Sequence, residues 1–251
     1  KASFSFAKAS LKKLDSVEKR KFYQVKNIQG KFSLEHKTNQ KSKIAFPWRF
    51  GFDDFSGNFG TNSFSEMTGE IFLGKGKPLI KLVSKFKIDS TAARDPSLLS
   101  EFPFLGEVNF RNGLFFMEYR GEGELFAFNL ADSHAVIEFK DVSMKLKNHS
   151  VLWSNLFGKM SYSGNQIRFK EIQGRYGNSP FHLNGNIEVR SKLISGFKLH
   201  IASLSLSPKD LKSIPFLERF EGEGAIQFDS YWIGNPKAFE FRSTFNLKKT
   251  F

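Results

Sequence analysis

Apolar and polar residues alternate with a period of two along much of this chain, which is the pattern of β-strands with one apolar and one polar face. The clearest alternating runs span residues 80–88, 197–201 and 239–247. Sequences that contain Gly and Asn interrupt the runs and predict turns. These predicted turns lie at residues 74–76, 112–113, 121–123, 163–165 and 234–236. The pattern predicts an antiparallel meander, in which neighbouring strands of a sheet follow each other along the chain.

Helix-forming sequence is scarce and short. The best predicted helix spans residues 207–214: Ser207 is a suitable N-cap, Pro208 suits the first helical position, and Pro215 ends the helix. Two further short helices are predicted at residues 95–102 and 10–22. We therefore expect a mostly-β fold with a few short helices.

One stretch of the sequence occurs twice. Residues 52–60, followed by Phe64, resemble residues 169–177, followed by Phe181, which lies 117 positions after Phe64. We predict one continuous repeat region over residues 1–251, with units at about 26–142 and 143–251 and a partial unit at 1–25. A repeated unit with strand periodicity and without reactive residues is typical of an extended scaffold rather than of a catalytic pocket.

Composition narrows the classes of function. The chain of 251 residues has 31 Phe and no Cys, so it has neither disulfides nor a thiolate nucleophile. Lys and Arg together number 38 against 25 Asp and Glu, a net charge of +13. Such an excess suits nucleic acid, anionic lipid headgroups, or simply the solubility of an aromatic-rich chain. The basic residues are spread along the chain and lack the signature of an RNA-binding sheet, so we expect no nucleic-acid partner.

Candidate catalytic and metal-binding groups are few. The five His residues are not spaced as metal ligands, and the carboxylate pair Asp53 and Asp54 becomes Lys170 and Glu171 in the second repeat. Gly57 and Gly60 precede another strand pattern rather than a helix, so they do not form a phosphate loop. We expect no enzymatic activity, no metal and no cofactor, and we assign these glycines to turns and bulges.

The apolar face of the predicted strands is the remaining candidate site. Its members are large apolar residues on the inward phase of their strands: Ile80, Leu82, Phe86, Phe126, Phe128, Phe197, Leu199, Ile201, Phe239, Phe241 and Phe245. A second sheet could cover this face and make it the core of a sandwich. Alternatively, an open curved sheet would present it as a groove that suits acyl chains. Periodicity alone leaves both alternatives open.

Several segments resemble the recurring unit of AsmA-like proteins, which include the TamB and YhdP types. One is residues 164–177, with an apolar strand and the turn sequence Gly174-Arg175-Tyr176-Gly177, followed by residues 181–187. Residues 204–211 resemble the family's short helix, and residues 220–241 resemble its Gly-x-Gly strand, Gly-x-Pro turn and next strand. The resemblance covers residues 140–251 well and residues 26–110 more loosely.

The resemblance implies an extended, curved antiparallel β-groove, shaped like a folded taco, with a few short helices. It also implies a scaffold that conducts phospholipid acyl chains between inner and outer membranes in envelope biogenesis. Such a protein would be periplasmic, anchored to the inner membrane by a segment absent from this chain, with membranes at the ends of the full-length protein and possible envelope protein partners. We therefore expect the chain to be a fragment of a longer protein. The alternative is a structural β-sandwich or solenoid module that binds a protein partner.

Overall fold

The alternating sequence forms strands throughout the computed structural model, which describes residues 2–11, 25–36, 47–59, 62–90, 106–124, 133–147, 151–190, 193–213, 219 and 224–248. The strands are β1 (Ala2–Leu11), β2 (Val25–His36), β3 (Trp48–Phe59), β4 (Asn62–Leu73), β5 (Leu79–Asp89), β6 (Val108–Glu124), β7 (Ser133–Leu146), β8 (Leu152–Ser163), β9 (Gln166–Tyr176), β10 (Ser179–Arg190), β11 (Leu193–Leu206), β12 (Ala225–Asn235) and β13 (Ala238–Lys248). They form a 13-stranded sheet whose spatial order is the order along the chain. The predicted meander is confirmed.

The chain divides into two compact units. Unit 1 consists of Lys1–Ile88 and Phe116–Ala135, and unit 2 consists of Asp89–Phe115 and Val136–Phe251. Within each unit the strands form open, curved antiparallel sheet with very little helix, so the predicted fold class is confirmed. The predicted repeat boundaries stay a prediction.

The helix predicted at residues 207–214 is present but shorter. It is α1 (Pro208–Leu211), and the Ser207 side chain accepts a hydrogen bond from the Asp210 backbone N–H at 3.1 Å. The helix predicted at residues 10–22 is wrong at its start, because Ser10 and Leu11 belong to β1. There the backbone continues its pairing with β2, and Leu11 lies opposite Val25. The rest of that prediction and the helix at 95–102 lie outside the described residues.

Three predicted turns are confirmed and two are wrong. The turns near residues 74–76, 163–165 and 234–236 connect β4 to β5, β8 to β9 and β12 to β13. Residues 112–113 and 121–123 instead lie inside β6. At Gly113 the backbone φ angle is +110°, and an added Cβ would collide with the backbone of Asp141 and Val142. This glycine therefore permits the close approach of β7 rather than a chain reversal.

Left-handed residues within strands form a repeated feature of both units. The described non-glycine residues with positive φ angles all lie inside strands and have φ near +50°: Asn27, Asp54, Glu66, Asp141, Asn155 and Glu171. Register shifts accompany this conformation, for example between Phe52 and Phe55 in β3. An extra residue in a strand would normally turn every later side chain to the opposite face. At a bulge with a left-handed residue, two residues of one strand lie opposite one residue of the neighbouring strand. The apolar side chains before and after the bulge therefore stay on one face.

A glycine lies three residues after most of these bulges, and the residue directly after each bulge is apolar. In unit 2 the Ile172 side chain, which follows Glu171, lies over Gly158 of the neighbouring strand β8. Leu156, which follows Asn155, lies over Gly174 of β9 in the same manner. Ile172 and Leu156 are almost fully buried, at 4% and 1% exposure. The glycines thus provide the space into which the neighbouring strand places its core side chain.

The glycines that lie three residues after the bulges are expected to affect the free energy of unfolding. Gly158 has a φ angle of +132°, and an added Cβ would lie 2.6 Å from the Glu171 carbonyl oxygen and 2.7 Å from the Ile172 Cα. We expect Gly158→Ala to lower the free energy of unfolding by about 1–3 kcal/mol, because it strains the backbone and collides with β9. Urea unfolding followed by far-UV circular dichroism measures the change.

Gly196 provides the matched control, since the nearest atom to its added Cβ is 3.5 Å away. Gly196→Ala is expected to change the free energy of unfolding by less than about 0.5 kcal/mol. Equal effects of the two substitutions would show that close strand approach at Gly158 is not required.

Candidate functional site

Strand register places six of the predicted site residues on one face of unit 2, and four of them lie around Trp232. Trp232 of β12 lies opposite Leu199 of β11 on one side and opposite Phe241 of β13 on the other. Directly paired residues of neighbouring strands point to the same face of a sheet. One step along the strands, Gly234 lies between Phe197 and Phe239 in the same way. We call the surface formed by Phe197, Leu199, Trp232, Phe239 and Phe241 the aromatic face.

Ring contacts hold the aromatic face together. The rings of Trp232 and Phe239 are nearly parallel, with centroids 5.7 Å apart and an interplanar angle of 6°. Trp232 also contacts Phe241 at a centroid distance of 5.9 Å, and Phe197 contacts Phe239 at 6.1 Å. Phe239 and Phe241 nevertheless keep 45% and 42% of their surface exposed. Their large apolar rings are therefore accessible to a ligand.

The same face continues onto the preceding strands. Leu199 lies opposite Gly185 of β10, and Gly185 lies opposite Phe169 of β9. In the neighbouring row, Phe197 lies opposite Ile187 and Ile187 opposite Ile167. Each strand thus adds one apolar side chain, or one glycine, to each row. Since neighbouring strands lie about 4.8 Å apart, the result is a continuous apolar surface across strands β9 to β13 of unit 2.

Helix α1 covers one end of this surface. Leu211 of α1 is fully buried, and it packs with Leu206, Ile226 and Phe228 in a cluster that also contacts Ile201. Ile201 is thus half-buried beside this cluster. Phe245 lies opposite Phe228 with ring centroids 5.2 Å apart and is 36% exposed. The apolar surface is therefore covered near α1 and open near Phe239.

Hydrogen bonds to a buried carboxylate connect α1 with the turn between β9 and β10. Asp210, at 7% exposure, accepts hydrogen bonds from the Ser179 hydroxyl at 2.6 Å and from the Asn178 backbone N–H at 3.0 Å. The Ser213 hydroxyl, just after α1, lies 2.6 Å from the Tyr176 hydroxyl. These bonds position Leu211 over the apolar surface, so a polar cluster determines where the surface ends.

Unit 1 carries its own apolar surface. Ile80 lies opposite Ile71, and Leu82 lies opposite Gly69, over which the ring of Phe52 packs. Phe86 lies opposite Phe64, which is 9% exposed. Ile80, Leu82 and Phe86 therefore share one face, and all are half-buried. The predicted site residues Phe126 and Phe128 lie outside the described residues.

Sequence reasoning missed Trp232, which occupies the centre of the aromatic face. The alternation along β12 gave no clear signal, because the apolar residues Tyr231 and Ile233 flank Trp232 on the opposite phase of the strand. Ser230 and Gly234 interrupt the apolar phase, so the run does not stand out. In the structure Ser230 is fully buried, and its hydroxyl lies 2.6 Å from the hydroxyl of Ser243 on β13.

On the polar face of unit 2, an imidazole lies beside a carboxylate and an aromatic ring. His200 Nε2 lies 3.1 Å from Asp229 Oδ2, and the His200 ring stacks on Tyr231 with centroids 4.2 Å apart. Among the described residues there is no group of three or more His, Asp or Glu side chains arranged to hold a metal ion. Within the same described part of the chain, none of the helices is both long and apolar enough to cross a membrane.

Comparisons with protein-family models, curated proteins and solved structures found no match to this chain. The assignment of a function therefore depends on the geometry of the two apolar surfaces and on the resemblance described above.

The Asp210 cluster generates a prediction about the covered end of the surface. We expect Asp210→Ala to lower the free energy of unfolding by about 2–4 kcal/mol, because it leaves the buried Ser179 hydroxyl and the Asn178 backbone N–H without their acceptor. Lys209→Ala, at an exposed position of the same helix, is the control and is expected to cost less than about 0.5 kcal/mol. Thermal unfolding of the two variants and the parent protein measures the difference, and equal stability of both variants would contradict this role.

The buried Tyr176 generates a prediction about alkaline pH. Burial raises the pKa of the Tyr176 hydroxyl above its usual value of 10.0, although the hydrogen bond to Ser213 acts in the opposite direction. Because the pKa of the folded state lies above that of the unfolded state, the stabilisation is fully present below pH 10 and is lost as pH rises through the folded-state pKa. Tyr176→Phe should therefore lose less stability than the parent protein between pH 8 and strongly alkaline pH. Urea unfolding across that range measures this, and parallel losses would contradict it.

Proposed function

We propose that this chain is a non-enzymatic scaffold that binds the acyl chains of phospholipids along its apolar surfaces. The observation that carries the proposal is the aromatic face, where Phe239 and Phe241 remain nearly half exposed although they belong to a continuous apolar surface. Exposed aromatic surface of this kind is unfavourable in water unless a ligand or partner covers it. An acyl chain gains about 0.8 kcal/mol for each CH₂ group that it buries there.

The repeating rows of the apolar surface suit a ligand that slides along them. The rows of the surface repeat from strand to strand, so each segment of an acyl chain meets similar side chains wherever it lies. Binding energy is then spread over many weak contacts instead of being concentrated in one pocket. The charged headgroup stays in water, since no transfer of charge into the apolar surface is required.

The resemblance to AsmA-like proteins supplies the setting of the proposal. In that setting the chain conducts phospholipids between inner and outer membranes in the periplasm. It belongs to a longer protein anchored to the inner membrane, contacts membranes at the ends of that protein, and works with envelope protein partners. It uses no cofactor and binds no nucleic acid.

One observation favours a second candidate, a structural module that binds a protein partner. Strand β13 carries the exposed rings of Phe239, Phe241 and Phe245. A group of exposed aromatic side chains on one strand is also suited to contact with the surface of another protein. Such a partner would cover the rings in place of lipid.

A charge on the aromatic face tests the first candidate. We expect the purified protein to carry phospholipid, detected by mass spectrometry of an organic extract. Phe241→Glu should reduce the amount of bound lipid by about tenfold, because a carboxylate replaces an aromatic ring that contributes roughly 1.5–3 kcal/mol of apolar burial. Circular dichroism should show unchanged folding, since Phe241 is already 42% exposed.

Val83→Glu is the matched control, because Val83 is 48% exposed but lies next to Leu82 on the opposite face of β5. It should leave the bound lipid unchanged. A parent protein that carries no lipid and takes up none from vesicles would rule out the first candidate. A lipid content that falls equally in both variants would show that the aromatic face is not the binding surface.

A further inference from the structure

The polar face of unit 2 carries a cluster of cations on neighbouring strands. Lys159 of β8 lies directly opposite Lys170 of β9. Two residues before Lys170, Arg168 lies opposite Asn186 of β10, and Asn186 lies opposite Lys198 of β11. These four basic side chains are exposed. We call Lys159, Arg168, Lys170 and Lys198 the basic surface.

Within the part of the chain that the structure describes, the lysines of the basic surface have no acidic partner. The structure gives Lys159, Lys170 and Lys198 no ion pair with any described residue, and Arg168 contacts only the neutral Gln166 side chain, at 3.3 Å. Directly opposed like charges on a sheet are mutually destabilising. The pairing of Lys159 with Lys170 thus places two positive charges together where an anion would remove the repulsion.

Three lysines of unit 1 each lie beside an acidic side chain. Lys77 lies 2.9 Å from Glu124, Lys81 lies 3.0 Å from Glu122, and Lys85 lies 2.6 Å from Glu66. These lysines have a partner within the sheet itself. The basic surface differs from these lysines in that Lys159 lies directly opposite another lysine, Lys170.

Apolar side chains lie beside the basic surface on the same face. Ile233 of β12 lies directly opposite Lys198 and is 53% exposed. Tyr231, two residues before it, is 52% exposed and stacks on His200. Acidic side chains border this region, with Glu240 opposite Ile233 and Glu188 opposite Gln166. Lysine, tyrosine and an exposed aliphatic side chain on one surface match the chemistry of a lipid interface, where cations meet phosphate groups and apolar side chains enter the headgroup layer.

We propose that the basic surface, together with Tyr231 and Ile233, docks on the surface of an anionic phospholipid bilayer. A nucleic acid or an acidic peptide would use the cations, but it would gain little from the exposed Ile233. The docking surface lies on the polar face of the strands, whereas the aromatic face lies on the other. Docking on a bilayer is therefore separate from acyl-chain binding by the aromatic face.

Vesicle flotation tests the docking surface. The probes are phosphatidylcholine vesicles with and without phosphatidylglycerol. The parent protein should bind the anionic vesicles more tightly than the neutral ones, and added salt should weaken the binding. Lys159→Gln with Lys170→Gln should weaken binding to anionic vesicles by roughly 25-fold, since each lysine near such a surface contributes about fivefold.

Lys77→Gln with Lys81→Gln is the matched control, because it removes the same charge from lysines that are paired within unit 1. It should change binding by less than about twofold. Ile233→Ser should weaken binding without changing its salt dependence, because it removes an apolar contact only. Equal binding to neutral and anionic vesicles, or equal effects of the two lysine pairs, would overturn the proposal, as would binding to a single-stranded oligonucleotide with none to anionic vesicles.

The outcome is independent of the proposed function. Lys159→Gln with Lys170→Gln should leave the co-purified lipid unchanged, whereas Phe241→Glu should leave vesicle docking unchanged. If the parent protein carries no lipid but still binds anionic vesicles, the acyl-chain proposal alone is ruled out. Loss of docking in the lysine variant with unchanged lipid content supports the bilayer proposal alone.

Discussion

The apolar surfaces of this protein depend on one backbone constraint: the apolar side chains of each strand must keep pointing to the same face of the sheet. Asp54 and Glu171 occupy corresponding positions of the sequence repeat, and both adopt a φ angle of 52°. At each position the strand absorbs an extra residue, and the apolar side chains on either side remain on one face. Without this bulge, residues such as Phe169 and Ile172 would face opposite sides of the sheet. An apolar strip that crosses several strands would then be divided into unconnected pieces.

The same constraint connects packing to ligand access. Near the bulges the side chains of Ile172 and Leu156 fill the space over neighbouring glycines and become buried core. Farther along, β11, β12 and β13 carry the larger rings of Phe197, Trp232 and Phe239, and these remain partly exposed. Helix α1, held by Asp210, covers one end of the surface. A single face of unit 2 thus passes from a closed core to an accessible aromatic surface, which is the property that the proposed lipid scaffold requires.

Local features of this fold were predictable from the sequence, whereas features that depend on contacts between strands were not. Turns at residues 163–165 and 234–236 were predictable, because Gly and Asn reverse the chain through local conformation alone. Asn112 and Gly113 have the same composition but lie inside β6, since that glycine serves contact with β7 and the sequence around it carries no information about its neighbour. Ser10 and Leu11 were assigned to a helix from their spacing, whereas backbone pairing with β2 makes them strand. Trp232 was overlooked because a serine and a glycine interrupt its run.

By itself the sequence determined that the chain is β, that its strands each have an apolar and a polar side, and that a short helix begins after Ser207. These properties follow from the period of two and from capping, which are local. Only the tertiary structure decided which side chains meet across strands: Trp232 between Leu199 and Phe241, and Lys159 opposite Lys170. Register of this kind is set by hydrogen bonds between distant segments and by the bulges that shift them. If the pairing of any strand shifted by one residue, the sequence would keep the same alternating pattern, but different side chains would meet on each face of the sheet.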